Sequence, residues 1–449
     1  MDSETQIQHR DEKRKYKKRK IRKKFKQAYG LELGSPENIL PLEITFDIFS
    51  RLPIESVLQC KQVCKTWKTL LSGAYFADMH LRRSRQLLQL DSNINGGGGG
   101  AEVGLGLLFS IQFKNKQTGK VRLYYGGDYV DIKKVKLINH PHINKQKKYA
   151  LISSCNGLIC MAVTQKLHYI FPFYQSLDYD PVYIFNPITR EHVSLPRIKK
   201  QDSTVACGFG YHPFSNKYKV VRIYYSHNQH SLGQVQVYTL GDGSGWRNKG
   251  EIKYNFLFSS LSVGGVLSTG SLHWLDHKDM KIVAFDLADE EFRVLTPPPP
   301  CFLPAGYDKF KHCFHLRELG GCLCVVHQVK GERVDIWSLK KKNKNSTAYN
   351  MKEQVCHSWT WSRDFSMAWF GDVMDNYDTF ALTKSGEVLC LYNRNILYRY
   401  DPKTATTKVV VEQNDDLLKF VNIIPHMNSF VSLKALGERC RRRINKIYE

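Results

Sequence analysis

The chain has 449 residues, enough for a small module plus one large domain, and 66 Lys and Arg against 42 Asp and Glu give it a net charge of +24. No apolar run approaches the ~20 residues of a membrane-spanning helix, and a charged N-terminus without an apolar segment behind it argues against a secretory leader. The twelve cysteines are therefore expected to be reduced thiols. None form C-x-x-C. Neither Cys60 with Cys64 nor Cys322 with Cys324 has a second pair at zinc spacing, so small buried apolar roles are expected instead.

Residues 1–34 read as a disordered basic arm, because charge is dense and apolar residues are few. Twelve Lys and Arg fall between Arg10 and Lys26 against Asp11 and Glu12, a local charge of +10. The clusters Lys13-Arg14-Lys15, Lys17-Lys18-Arg19-Lys20 and Arg22-Lys23-Lys24 fit a nuclear import signal. A flexible basic arm would also suit contact with nucleic-acid phosphates, and a solvated charge run without a reader is the third reading.

Residues 35–82 form the first module. Within Leu40–Leu81 three short helices are expected. Pro41 stands where the first begins, since proline's fixed φ and missing N–H are tolerated there. Leu40, Ile44 and Ile48 recur four apart, with Phe49 and Leu52 widening the stripe. Pro53 starts a second helix carrying Val57 and Leu58, and Val63, Trp67, Leu70 and Leu71 give the third its apolar face. So small a piece buries too little surface alone and needs a partner or the next domain. Residues 83–104 read as a linker containing the glycine run Gly96–Gly100, which has a large ordering entropy. No Lys-Ser/Thr follows the run, so it is not a phosphate loop.

From 105 to 435 the pattern changes to short strands. Aromatic strand signals at Leu123–Tyr125, Tyr183–Phe185, Val237–Tyr238, Val283–Phe285, Ile336–Trp337 and Tyr398–Tyr400 follow at steps of 47 to 63 residues, close to a kelch-type repeat of ~50. Gly157, Gly270, Gly321 and Gly386 each open a mostly apolar strand at a hairpin turn, and Tyr218–Ile223 fills the equivalent place in the blade between. The fold class expected is a short all-α module followed by an all-β propeller of six kelch-type blades, with a stacked β-sandwich as the alternative. A ring must be sealed. Part of the stretch Leu417–Leu433, with Pro425 at a bend or edge position, is expected to pair beside the first blade around Leu107–Phe113 or Lys120–Tyr125. Residues 436–449, with Arg439 and Arg441–Arg443, read as a basic surface tail.

Two resemblances rest on these residues. Leu40-Pro41, Ile44, Ile48, Leu52-Pro53, Leu58, Val63-Cys64-Lys65-Thr66-Trp67 and His80-Leu81 resemble the F-box of plant-type F-box proteins, with Glu43 where Asp often sits and Gln59-Cys60 in place of a usual Arg-Phe pair. Ser154–Leu158, Phe185–Arg190, Gly208–Tyr211 with Tyr218–Val221, Ser244–Arg247, Gly270–Trp274, Phe285–Leu287 with Glu291-Phe292, and Ser358–Thr360 resemble the F-box-associated domain of the same proteins. The resemblance implies a Skp-type adaptor bound through Leu40, Pro41, Ile44, Ile48, Leu52, Pro53, Leu58, Val63, Cys64 and Trp67. Through the adaptor it implies a cullin and a RING protein, with the propeller holding a target protein for ubiquitination. A helical cap packed on the rest of the chain is the alternative for the first module.

The sequence holds no recognisable catalytic constellation. There is no H-E-x-x-H, and Gly241–Gly245 lacks the spacing of a nucleophile elbow and reads as the hairpin before Trp246. His212 and His273 are isolated and expected to be structural. Asp286, Asp289, Glu290 and Glu291 read as a solvated hairpin rather than a carboxylate pair, and Pro297–Pro300 as a rigid extended connector. The expectation is a non-catalytic substrate receptor without cofactor, metal or membrane partner, located in the nucleus, with the cytoplasm as a second location. A nuclear nucleic-acid-associated protein is the alternative. The substrate-binding residues and the target are not encoded in any motif.

Overall fold

The computed structural model describes residues 41–440 except 94–105, 114–120, 127–134, 139–147, 167–176, 198–202, 227–228, 257–263, 277, 302–310, 342–358, 373–374, 384 and 413–417. The basic arm, Leu40, Gly96–Gly100 and Arg441–Arg443 lie outside the described residues. The chain divides into two compact units, with the boundary at Leu87/Leu88.

Among the described residues the first unit holds helices α1 (Leu42–Ser50), α2 (Ile54–Val63), α3 (Lys65–Leu71) and most of α4 (Ala74–Asn93), whose last residues, from Leu88, lie past the boundary. Pro41 and Pro53 cap α1 and α2 in extended conformation, one residue ahead of each helix. Phe46, Phe49, Ile54, Val57, Leu70, Leu71, Phe76 and Leu81 form the core, with Phe49 and Trp67 edge to face at 4.8 Å. Two expectations need correction. Among the described residues of the Leu40–Leu81 stretch four helices occur or begin, not three, and the stretch from residue 83, expected as linker, is helical to Asn93. Arg82–Asn93 has no Gly or Pro and is rich in Leu, Gln and Arg, which favour helix. The buried positions Ala77, His80, Leu81 and Ser84 carry one face of α4 past the expected end.

In the second unit, twenty-four strands make six four-stranded antiparallel sheets among the described residues. Blade 1 holds β1 (Gly106–Phe113), β2 (Val121–Gly126) and β3 (Lys136–Ile138). Blade 2 holds β4 (Lys148–Cys155), β5 (Leu158–Lys166), β6 (Leu177–Asn186) and β7 (Glu191–Ser194). Blade 3 holds β8 (Ser203–His212), β9 (Lys217–Ser226), β10 (Gln229–Thr239) and β11 (Trp246–Ile252). Blade 4 holds β12 (Val266–Ser268), β13 (Ser271–Asp276), β14 (Lys281–Asp286) and β15 (Phe292–Leu295). Blade 5 holds β16 (His312–Leu319), β17 (Cys322–Val329), β18 (Arg333–Lys341) and β19 (Trp359–Ala368). Blade 6 holds β20 (Tyr377–Leu382), β21 (Val388–Tyr392), β22 (Ile396–Asp401) and β23 (Thr406–Glu412).

The last strand, β24 (Leu418–His426), returns to complete blade 1 in the order β24-β1-β2-β3. It pairs antiparallel with β1, Leu107 opposite Pro425 and Phe109 opposite Ile423. The expected closure is therefore present, with Pro425 on an edge strand. Neighbour contacts run β24–β4–β8–β12–β16–β20 and back to β24, so the innermost strands form a closed ring of six. The sandwich alternative is excluded. Residues 436–440, expected in the tail, continue the propeller: Glu438 accepts from the Gly241 N–H at 2.8 Å.

The hairpins joining the first and second strands of blades 2, 4 and 5 turn on two residues of positive φ: Asn156-Gly157, Thr269-Gly270 and Gly320-Gly321. That geometry matches the twist of the flanking strands. The turns from third to fourth strand begin on a carboxylate or amide that accepts backbone N–H groups. Asn186 accepts from Ile188, Asp242 from Ser244, Asp286 from Ala288 and Asp401 from Lys403. Because strands alternate in direction, both sets of turns lie on one rim. The connections from second to third strand and from blade to blade emerge on the other.

Apolar clusters fill the interfaces of blades 1–2, 3–4, 4–5, 5–6 and 6–1. Blades 3 and 4 are also tied by charge. Glu290, its side chain 8% exposed, meets Lys219 Nζ at 2.8 Å, Arg247 at 2.5 Å and Lys249 Nζ at 3.1 Å. The expected solvated hairpin is corrected at this residue; Asp289 and Glu291 in the same turn stay exposed. Burial by itself would raise the Glu290 carboxyl, but the hydrogen bonds from Arg247, Lys219 and Lys249 outweigh it and hold it at about 2, below the ordinary 4.5. Its folded pKa is lowered, so its stabilisation is complete above the unfolded value and drains away as pH falls from about 4.5 towards 2. Glu290→Gln leaves buried Lys219 without its counter-charge and should cost about 3 kcal/mol at neutral pH. Urea denaturation of wild type and variant should show the gap closing below pH 4.5; a gap constant with pH would contradict the assignment.

Candidate adaptor and target interfaces

The first unit exposes apolar side chains that its own core does not use. Positions 44 and 48 of α1 lie one turn apart on one side, whereas Phe46 and Phe49 lie on the other and pack inward. Ile44 and Ile48 are 46% and 45% exposed and Val63 is 67% exposed. Pro41, Pro53 and Cys64 are exposed too, while Leu52, Leu58 and Trp67 are half-buried. Of the expected adaptor set, Ile44 and Ile48 share one side of α1, Pro41, Leu52, Pro53, Val63 and Cys64 lie at or beside helix ends, Leu58 is in the middle of α2 and Trp67 in the first turn of α3, and Leu40 lies outside the described residues. Phe49, read with the stripe of Ile44 and Ile48, belongs to the core instead.

Cys64 corrects the expectation of buried thiols. It is exposed, and its Sγ accepts the Trp67 N–H at 3.4 Å, capping α3. Of the two pairs, Cys60 and Cys322 are half-buried and only Cys324 is buried as expected; Cys155, Cys160, Cys207, Cys301 and Cys390 are buried too. Spacing alone missed Tyr75 and His80. Tyr75 is 61% exposed, with its ring edge-on to Phe46 at 5.4 Å. His80 is buried, and its Nε2 lies 3.0 Å from the Leu52 carbonyl, tying α4 to the end of α1; burial pushes its pKa down. Asp47 pairs with Arg51 at 2.7 Å and with Arg83 at 3.1 Å.

On the propeller, two outer-strand tryptophans link neighbouring blades in the same way. Trp246 Nε1 on β11 donates to the Pro196 carbonyl beyond β7 at 2.8 Å, and Trp361 Nε1 on β19 donates to the Thr296 carbonyl beyond β15 at 2.7 Å. Trp359, two residues earlier at the start of β19, is 47% exposed. Arg222 stacks over Trp246 at 3.9 Å and reaches Asp180 of blade 2 at 3.4 Å. His212 accepts the Ser215 N–H within the β8–β9 turn, and buried His273 lies 3.1 Å from the Val266 carbonyl; both are structural. Pro299–Cys301 form a 3-10 turn, so the expected extended connector ends in a turn. Among the described residues, no group of three or more His, Cys, Asp or Glu is arranged to hold a metal ion, and no helix is long and apolar enough to cross a membrane.

A small helical module with an unused apolar ridge, ahead of a closed six-bladed propeller, is the architecture of an F-box protein with an associated propeller domain. Family comparison agrees: residues 38–76 match the F-box-like family and residues 108–428 match the F-box associated beta propeller domain. The chain belongs to that family. It is 28% identical to the Arabidopsis thaliana F-box protein At3g07870 over 447 residues, 88% of this chain and 91% of that one. The F-box/kelch-repeat protein At3g23880 of the same plant is 26% identical over 324 residues, 69% of this chain and 78% of that one. The F-box protein CPR1, also from Arabidopsis thaliana, is 24% identical over 423 residues, 88% of this chain and 84% of that one.

Replacing either indole by phenyl keeps an aromatic ring and removes one donor. Trp246→Phe and Trp361→Phe should each lower stability by about 1 kcal/mol in urea unfolding. An unchanged midpoint would mean that the indole bonds contribute nothing to blade docking.

Proposed function

We propose that this protein is the substrate-recognition subunit of an SCF-type cullin–RING ubiquitin ligase. In this reading Leu40, Pro41, Ile44, Ile48, Leu52, Pro53, Leu58, Val63, Cys64 and Trp67 bind the Skp-type adaptor, and the propeller binds a target protein. The protein performs no chemistry itself; holding the target near the transfer machinery raises its effective concentration. One observation carries the reading: α1 spends Phe46 and Phe49 on its own core and leaves Ile44 and Ile48 exposed one turn apart. A soluble module keeps such an apolar surface for a partner, and a central aliphatic anchor at an interface can be worth about 2 kcal/mol.

Ile44→Asp with Ile48→Asp should abolish co-purification of adaptor and cullin, while the circular dichroism of the chain stays unchanged because neither residue is in the core. Full adaptor recovery by the double variant would defeat the proposal.

The basic arm supports nuclear localisation in the same proposal. Deleting residues 10–26 should move a fluorescent fusion towards the cytoplasm without weakening adaptor binding. The second reading, polynucleotide contact, is favoured by the +10 charge of that segment. It requires that the same deletion remove salt-sensitive binding to DNA or RNA. An unaltered distribution would remove the import role.

A further inference from the structure

We propose that residues 427–438 form a latch that controls opening of the ring at the seam between β1 and β24. This goes beyond the receptor role and does not depend on it. In blades 2 to 6 the innermost strand runs directly into the next strand of its own sheet. In blade 1 the innermost strand, β24, follows β23 of blade 6 and joins β1 only through hydrogen bonds and packing. The seam is also irregular. A bulge falls between Ser110 and Ile111, and Pro425 has no N–H to offer opposite Leu107.

Beyond His426 the chain leaves the sheet and crosses the turns of blades 2 and 3. His426 is buried at the departure point, its Nδ1 2.6 Å from Ser154 Oγ of blade 2 and its Nε2 3.1 Å from Asn428 Oδ1. Fully buried Asn186 donates its amide to the carbonyls of Ser429 at 3.1 Å and Val431 at 2.8 Å. Ser429 Oγ donates to the Asn156 carbonyl at 2.5 Å. A Cβ on Gly157 would stand 2.2 Å from that hydroxyl, so the strap and the β4–β5 turn are in close contact. Phe430, Val431 and Leu433 are buried.

The far end is held by two carboxylates. Glu191 accepts from Ser432 Oγ at 3.0 Å and from the Lys434 N–H at 3.2 Å. Glu438 accepts from the Gly241 N–H at 2.8 Å and from Tyr238 Oη at 3.3 Å. One end of β24 is thus tethered to blade 6 by the chain, and the other to blades 2 and 3 by the strap. Separating β24 from β1 requires the strap to leave its seat. Seating of the strap therefore sets how often this seam opens relative to the other sheets.

Amide hydrogen exchange of the full chain, read by mass spectrometry on peptides from β1, β24 and β17, tests the latch. Asn186→Asp keeps the oxygen that accepts from Ile188 and Thr189 but sets an acceptor against two carbonyls. Exchange in β1 and β24 should rise about tenfold, with β17 unchanged. Glu438→Ala releases only the far end and should give a smaller rise confined to the same two strands. Should Asn186→Asp fail to fold, Glu438→Ala decides alone. Equal acceleration in β17, or none in β1 and β24, overturns the proposal.

Discussion

The propeller depends on one pairing, that of β1 with a strand supplied from the far end of the chain. Without β24 the inner edge of β1 would present unpaired N–H and C=O groups, the template on which other strands add. The same strand fills both neighbouring interfaces, because successive side chains point to opposite faces. Phe420 and Ile423 belong to the core between blades 6 and 1, while Ile424 packs into the core between blades 1 and 2. Phe420 meets Phe109 at 6.1 Å. Closure and packing are thus one event.

Around that ring, apolar clusters supply most of the burial, and polar ties fix blade against blade. The ion pairs of Glu290 and of Arg222 with Asp180 are nearly buried. Such pairs are weak evidence for net stability, since desolvation offsets much of the attraction. Their role here is positional. Glu290 can satisfy three cations only when blade 4 presents its turn at one place along β9 and β11, and each indole reaches its carbonyl only when two outer strands are in step.

The architecture was legible because its constraints are local. Aromatic strand centres repeat, and the first hairpin of several blades needs positive φ, which Asn-Gly, Thr-Gly and Gly-Gly supply. The closing strand showed itself as an apolar, β-branched run with no sheet of its own. What was missed depends on distant partners. Nothing in Asp286–Glu291 marks Glu290 as the carboxylate that turns inward, because Lys219, Arg247 and Lys249 lie in another blade. Helical spacing grouped Phe49 with Ile44 and Ile48, and only the packing of α1 against Trp67 and Phe76 separates core from surface. The extension of α4 to Asn93 is not marked by a cap or breaker, because charged and polar residues interrupt its leucines and the glycine run follows closely.

The order of the strands also bears on synthesis. β1 begins at Gly106 and its inner partner begins at Leu418, so 312 residues must be added between them. At ~5–20 residues per second that interval is roughly 15–60 s. For its duration the helical module and each of blades 2 to 6 can form as they emerge, while blade 1 stays incomplete with its inner edge open. The nascent protein therefore carries an adhesive strand edge on β1 until β24 has been added. Codons that slow translation late in the message would prolong that exposure, and a chaperone acting on this protein would find its natural client in the unsealed first sheet.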